Sequence, residues 1–256
     1  MKILVTNDDG IFAEGLWTLA GALKDIAEVV VVAPDKERSA IGTAVTLRQP
    51  LKVKKISPPI SGIETYSVEG TPADSVILAL GKLVKDKVHI LISGINQGAN
   101  LGDDVFISGT VSAARQGYLY GLPALAISTF PNSNLNLRQA AKLARVLIKK
   151  MRSHPPILLN INLPDLPLEE IKGIEITKIA TRSHTDTVEE EDGRENCYRL
   201  VRERMNLGAP EGSDIWAIEK GRISITPLHN YYLNSKRHTS LVKKLCSNLL
   251  DELKRD

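Results

Sequence analysis

Short, uninterrupted apolar runs recur along this chain, and they constrain its fold more than any other feature. The run at 28–33 holds four consecutive valines and stops at Pro34-Asp35. Four valines in a row leave no polar face, so a strand built from them must be covered on both sides, as strands of parallel sheets are. We therefore predict a buried parallel strand here.

Helical patterns separate this run from others like it. Apolar residues at helical spacing predict helices, and the alternation of strand and helix predicts an α/β fold with a doubly wound, mainly parallel sheet in three layers. Residues 45–68 are richer in Pro and Lys and predict an antiparallel excursion. The predicted strands are 2–6, 88–92, 124–128 and 157–161, and the predicted helices are 16–26, 72–78, 110–120 and 137–151.

The pattern changes after Gly173. Charged, alternating segments at 185–191 and 196–202 flank Asp192-Gly193, a turn pair typical of hairpins. Such a hairpin has no core of its own, so it either stays in solvent or clasps another subunit. Leucines four residues apart near the end of the chain predict an amphipathic closing helix. The predicted division is a core over 1–180 and a second part over 181–256, with a hairpin at 181–205, a return to the core at 213–230 and a swapped or docking helix at 238–254.

Charge and composition exclude some classes of function. The formal net charge is +3 and the pI is about 8.7, short of the strongly basic footprint of proteins that bind nucleic-acid polymers. The acids Asp8 and Asp9 interrupt the opening apolar run, so we predict neither a signal peptide nor a membrane span. We therefore predict a cytoplasmic location. Cys197 and Cys246 are far apart and are predicted to be free thiols.

Polar side chains follow three of the predicted strands. Asp8 and Asp9 follow the first strand, Ser39 lies in the loop after the second, and Asn96 follows a strand predicted to end near Ser93. The carboxyl ends of parallel strands share one edge of the sheet, where ligands bind. Adjacent carboxylates repel unless a cation lies between them, and this set of oxygen ligands suits Mg²⁺ or Mn²⁺. A turn with a helix cap is the simpler alternative.

A glycine-rich polar loop at 93–104 leads to Ser108, Gly109 and Thr110 at a predicted helix start. Backbone amides at a helix N-terminus bind phosphate, so these three residues are candidate phosphate ligands, and simple capping is again the alternative. The chain has neither the Gly-Lys-Ser/Thr of a P-loop nor an early GxGxxG, and it lacks GxSxG. The sequence thus disfavours P-loop chemistry, NAD binding and a serine hydrolase.

Together these segments resemble the SurE family of stationary-phase survival proteins, which are nucleotidases. The resemblance implies a Rossmann-like fold, one divalent metal per subunit on Asp8, Asp9, Ser39 and Asn96, and hydrolysis of nucleoside 5′-monophosphates and often 3′-monophosphates. It also implies a homodimer or homotetramer with exchanged C-terminal elements. The chain departs from the family at Phe106-Ile107, where a tyrosine often precedes the serine. The matching segments are 3–11, 33–34, 38–39, 70–74, 93–102, 108–111, 213–217 and 224–228.

The residues also suggest roles in catalysis. Asp8 or Asp9 would orient or deprotonate a water, while Asn96 and the amides of 108–110 would hold phosphoryl oxygens. One rival is an aspartyl-phosphate phosphatase, with 102–104 as a distal acidic segment, although such enzymes usually carry Asp-Xaa-Asp. The other rival is a nucleotide-sensing binding protein without turnover.

Overall fold

A single mixed sheet organises the chain in this computed structural model. The structure describes residues 1–130, 134–151, 154–180, 184–191, 193–194, 196–204, 209–228 and 243–255. The strands are β1 (Lys2–Thr6), β2 (Glu28–Pro34), β3 (Val53–Lys55), β4 (Glu64–Val68), β5 (Ile90–Gln97), β6 (Ala124–Thr129), β7 (Leu158–Asn162), β8 (Ile174–Ile176), β9 (His184–Glu190), β10 (Tyr198–Arg204) and β11 (Ile223–Leu228). The helices are α1 (Glu14–Leu23), α2 (Pro72–Leu78), α3 (Asp104–Ile107), α4 (Gly109–Leu119), α5 (Asn134–Met151), α6 (Asp214–Glu219) and α7 (Leu249–Arg255).

Nine of the described strands form the main sheet in the order β3-β4-β2-β1-β5-β6-β7-β11-β8. The run from β4 to β7 is parallel, whereas β3 pairs antiparallel with β4, and β11 pairs antiparallel with β7. Because β2 lies on one side of β1 and β5 on the other, the direction of winding reverses between β1 and β5. The predicted α/β fold with a doubly wound, mainly parallel sheet is confirmed.

Alternate residues of the strands point into two separate apolar layers, as the pleat of a strand requires. Ile3 and Val5 of β1 pack with α1 and α5, whereas Leu4 packs on the opposite face with α2 and α4. All five residues of β1 are buried. Helices therefore cover both faces, which explains why these strands are continuously apolar.

Strand β5 extends further than the sequence predicts. It runs to Gln97, so Asn96 lies on the strand and not in a loop after it. The pairing with β6 shifts register between Gly94 and Asn96. Gly94 has φ 134°, and a Cβ there would lie 2.4 Å from the carbonyl oxygen of Ile127. Glycine lets the strand continue through this close approach, which is why the polar sequence does not end it.

Three helices also differ from their predicted bounds. Helix α1 covers Glu14–Leu23, where 16–26 is predicted. The helix at 72–78 continues as a wider π-helical turn over Ala79–Leu83, and α5 begins at Asn134, before the predicted 137. The predicted helix at 110–120 is found as α4. Within the described part of the chain, no helix combines the length and apolar character needed to cross a membrane.

The C-terminal segment is not the continuous helix that the leucine spacing predicts. Asn248 has φ 60° and interrupts it, so α7 covers only Leu249–Arg255. Leu245, Leu249 and Leu253 are nonetheless buried in the same apolar cluster as α5. The stripe therefore docks on its own chain. Leu241 and the rest of 238–242 lie outside the described residues.

Strands β9 and β10 form a separate two-stranded antiparallel sheet. They are slightly displaced from the predicted 185–191 and 196–202, and Asp192 of the predicted turn lies outside the described residues. Strand β11, by contrast, joins the main sheet. The division into 1–180 and 181–256 stays a prediction.

The docking of the leucine stripe can be tested by substitution. Leu249 is fully buried, so we expect Leu249→Ala to lower the free energy of unfolding by roughly 2–5 kcal/mol in urea denaturation. Leu135→Ala is the matched control, because Leu135 is half exposed on α5 and should cost under about 1 kcal/mol. Equal losses in the two variants would contradict the observed docking.

Candidate active site

Asp8 and Asp9 lie directly after β1, at the point where the winding of the sheet reverses. A tight turn follows them, in which the Asn7 side-chain amide donates a 3.0 Å hydrogen bond to the carbonyl of Gly10. Gly10 has φ 99°, and a Cβ there would lie 2.9 Å from the backbone of Lys36. Glycine therefore lets the β1 turn pack against the loop after β2.

Asp8 is buried against the first turn of α4. Its carboxylate accepts hydrogen bonds from the hydroxyl and the backbone N–H of Thr110, and its carbonyl accepts one of 2.8 Å from the N–H of Arg38. Burial raises the pKa of Asp8, and the hydrogen bonds from Thr110 oppose that rise. Asp8 is thus fixed between the loop after β2 and α4.

Asp9 is less buried than Asp8, yet its pKa is strongly raised. Burial first, and then the negative charges of Asp8 and Glu37, raise the pKa of Asp9 to about 7, while the backbone N–H of Gln97 donates to it and lowers the pKa. Glu37 raises the pKa of Asp8 as well. Negative charge is therefore crowded at this edge, and a divalent cation would relieve the repulsion, so the donor set fits a hard metal ion.

The other two predicted metal ligands lie at the same edge of the sheet. Ser39 is exposed in the loop after β2, and its hydroxyl donates a 2.5 Å hydrogen bond to Glu37. Asn96 is half-buried near the end of β5, and its Nδ2 donates a 2.6 Å hydrogen bond to the carbonyl of Gly98. That bond leaves the Asn96 Oδ1 free to act as an acceptor. Asp8 and Asp9 are neighbours in the chain, and Asp9 accepts a hydrogen bond from the backbone N–H of Gln97, the residue after Asn96. Ser39 bonds to Glu37, whose charge raises the pKa of both carboxylates.

The three candidate phosphate ligands, residues 108–110, form the buried N-terminus of α4. Ser108 is its N-cap, and the Ser108 hydroxyl accepts a 3.1 Å hydrogen bond from the N–H of Val111. The amide of Ser108 donates to Asp104 and the amide of Thr110 to Asp8. Of the three amides at 108–110, that of Gly109 therefore has no partner in the described part of the chain. The Gly109 amide is therefore the one available to a ligand among these three, and it lies at the positive end of the α4 dipole.

The hairpin reaches this region through Asp104, the first residue of α3. His184 Nδ1 lies 3.1 Å from one Asp104 oxygen, and Arg202 Nη1 lies 3.1 Å from the other. Asp103, Asp104 and His184 lie close enough together to hold a metal ion. The guanidinium of Arg202 already compensates part of the charge of Asp104.

Two residues near the candidate site, Glu37 and His184, were not predicted from the sequence. Glu37 precedes the predicted ligand Ser39 by two residues, and its acid character in that loop was the available signal. His184 gave no signal, because its partner Asp104 is 80 residues away and only the docking of the hairpin brings them together.

Deeper polar contacts hold the 98–104 loop. The carboxylate of Asp214 accepts hydrogen bonds of 2.9 Å from the N–H groups of Gly102 and Ala180, and one of 2.8 Å from that of Ile215. Burial raises the pKa of Asp214, and these bonds oppose the rise. The N–H of Asn100 donates to the Asn162 side chain at 2.8 Å. These contacts with Asp214 and Asn162 therefore fix the loop between β5 and α3.

A doubly wound α/β protein with one buried and one half-buried carboxylate beside a helix N-terminus at its switch point has the layout of an enzyme that binds a phosphorylated ligand. Comparison with known proteins names the family. The sequence model of "Survival protein SurE" matches residues 3–186, so the chain belongs to the SurE family.

Individual relatives agree with this assignment. The chain is 50% identical over 235 residues to "5′-nucleotidase SurE" of Dehalococcoides mccartyi strain CBDB1, covering 90% of this chain and 89% of the relative. It is 46% identical to the protein of the same name from Vibrio parahaemolyticus, covering 89% and 88% of the two chains. The crystal structure of the SurE protein from Aquifex aeolicus matches with a TM-score of 0.78 at 37% identity, covering 95% of this chain and 99% of that one.

The close packing of α4 on Asp8 predicts that Gly109 tolerates no side chain. A Cβ at Gly109 would lie 2.7 Å from the Asp8 Cβ and 2.9 Å from its Oδ2. We expect Gly109→Ala to lower the free energy of unfolding by about 1–3 kcal/mol. Gly81→Ala is the control, because a Cβ there meets nothing within 4 Å and should be neutral or stabilising by up to about 1 kcal/mol. Urea denaturation that shows no difference between the two would refute the contact.

Proposed function

We propose that this SurE-family chain is a 5′-nucleotidase that hydrolyses nucleoside monophosphates to nucleoside and phosphate in a metal-dependent reaction. The observation that carries the proposal is the pair of adjacent, largely buried carboxylates, Asp8 and Asp9, beside the N-terminus of α4. The relatives named 5′-nucleotidase SurE support the activity and the 5′ position. Activity on 3′-monophosphates is part of the proposal and rests on the family resemblance.

We assign the metal site to Asp8, Asp9, Ser39 and Asn96, with Mg²⁺ or Mn²⁺ as the ion and one site per subunit. The crowding of negative charge from Asp8, Asp9 and Glu37 supports this assignment. A bound divalent cation would supply the positive charge that stabilises charge developing on the phosphoryl group.

The chain's own residues would carry the remaining steps. Asp9 lies beside Asp8 at the end of β1, and its carboxylate would orient an attacking water or take a proton from it. Asp8 is held in place by Thr110 and would orient that water or share the role of base. The Gly109 amide and the side chain of Asn96 would bind phosphoryl oxygens as the displacement proceeds, with Ser108 and Thr110 shaping the turn around them.

The two rival functions differ in how well the described contacts support them. In an aspartyl-phosphate mechanism Asp8 would attack phosphorus, with Asp103 and Asp104 as the distal acids. Asp104 instead contacts His184 and Arg202 of the hairpin, which disfavours that role. A nucleotide-sensing protein would use the same edge of the sheet without turnover, and only an assay separates it from an enzyme.

The first experiment is phosphate release from a panel of 5′- and 3′-nucleoside monophosphates with Mg²⁺, Mn²⁺ or EDTA. We expect release that requires the metal, and we expect Asp8→Asn to lower kcat at least about 100-fold because it removes a charged ligand at the reacting group. Asp25→Asn is the matched control, since Asp25 is exposed at the end of α1. Nucleotide binding without release under any metal would select the binding protein, and a trapped phosphoenzyme on Asp8 would select the aspartyl-phosphate mechanism.

We also propose that the chain forms a homodimer or homotetramer through its C-terminal helix and the hairpin, and the exposed apolar residues of the hairpin support the second contact. Val188 and Leu200 lie directly opposite each other, and their exposed fractions are 62% and 80%. Tyr198 adds to the same face with 62% exposed. Of the described leucines in the last segment, Leu245, Leu249 and Leu253 are covered within the chain. The cytoplasmic location stays a prediction.

Light scattering tests this assembly. We expect a mass of at least two chains for the unmodified protein. The double variant Val188→Ser/Leu200→Ser should shift the mass towards the monomer, because it removes the exposed apolar pair. Thr187→Ser/Val201→Ser changes a directly opposed pair on the other face of the hairpin and should leave the mass unchanged. A monomeric unmodified protein would dispose of the proposal.

A further inference from the structure

A cavity of about 410 Å³ lies between α1 and α5. Four of its six lining residues are cationic, and the described lining contains no carboxylate. The formal net charge of the whole chain is only +3. The four positive charges at this cavity therefore exceed the net charge of the chain. The lining residues are Ala22, Arg138, Lys142, Arg145, Val146 and Lys149.

The cations form a stripe along one face of α5. Their positions are separated by four, three and four residues, which places them on the same side of a helix over about 16 Å. Like charges four residues apart destabilise a helix. The sequence therefore maintains an unfavourable arrangement here, and a bound anion would offset it.

One cation of the stripe is fixed by a hydrogen bond, and three of the four have no carboxylate partner among the described residues. The Arg145 guanidinium donates a 2.8 Å hydrogen bond to the carbonyl of Ala22 near the end of α1, which holds it against the cavity wall. Among the described residues, no carboxylate lies within ion-pair distance of Arg138, Lys142 or Arg145. Other surface lysines of the chain do have such partners, as Lys150 has in Glu252.

The cavity is distinct from the candidate active site. Helix α1 starts near the carboxyl edge of the sheet, after β1, and ends where β2 begins, so Ala22 and Arg145 lie towards the amino edge. Asp8 and Asp9 lie at the opposite edge. Arg138 lies nearer the start of α5, and none of the described lining residues is among those assigned to hydrolysis.

We propose that this cavity binds a compact anion with a chain of two or three phosphate groups. Cations spaced about 5–6 Å apart along a helix call for several linked anionic groups, since a single phosphate could contact only one or two of them. The volume is that of a small-molecule site. A nucleoside triphosphate and inorganic tripolyphosphate share this chemistry, and the proposal does not depend on the proposed hydrolysis.

Calorimetric titration with tripolyphosphate and with ATP, in EDTA to prevent turnover, tests the site and separates the two sources. We expect saturable binding that Arg138→Gln/Lys142→Gln weakens about tenfold or more. Lys85→Gln/Lys87→Gln removes the same charge from exposed positions elsewhere and should change the affinity less than about twofold. Asp8→Asn should also leave it unchanged. Tighter binding of ATP would identify a nucleotide site, and equal binding a site for the phosphate chain alone.

Several results would overturn the proposal. These are no binding of either probe at millimolar concentration, equal loss in the two double variants, or loss in Asp8→Asn. Much tighter binding of a single-stranded oligonucleotide than of tripolyphosphate would replace the small anion with a polymer. If Arg138→Gln/Lys142→Gln does not fold, Arg138→Gln alone serves the same test, because Arg138 is exposed.

Discussion

The contact between Asp8 and the first turn of α4 organises the candidate site. Asp8 is buried, and Thr110 donates both its hydroxyl and its amide to the Asp8 carboxylate. Gly109 permits the approach because a side chain there would overlap Asp8. Since α4 also packs on the sheet through β5 and β6, the position of the carboxylates is tied to the core. Burying a charge costs free energy, and the helix N-terminus compensates part of it.

The contacts around this pair extend in two directions. On one side, the loop after β2 brings Glu37 near both carboxylates and supports Ser39. On the other, the segment from β5 to α4 is fixed from below by Asp214 and from outside by the hairpin through Asp104. The turn that ends at Ser108 is therefore held by parts of the chain remote in sequence. Such support is what keeps a binding site in one geometry.

Positive and negative charge are segregated in this molecule. Acids crowd the carboxyl edge of the sheet, where the charges of Asp8, Asp9 and Glu37 affect one another, whereas a cationic stripe lies along α5. The small net charge of +3 gives no sign of this separation. Electrostatics therefore distinguish two surfaces, one suited to a cation and one to an anion.

The sequence alone determined the layers of the fold and the edge at which the site lies. Continuous apolar strands such as 28–33 can only be buried in a parallel sheet, and in such a sheet the residues after each strand share one edge. Tertiary structure decided the rest. The extension of β5 through Gly94, the pairing of Asp104 with His184 and the covering of Leu249 by α5 all depend on contacts between distant segments. Local pattern carries no signal for them, because their free energy arises only when those segments meet.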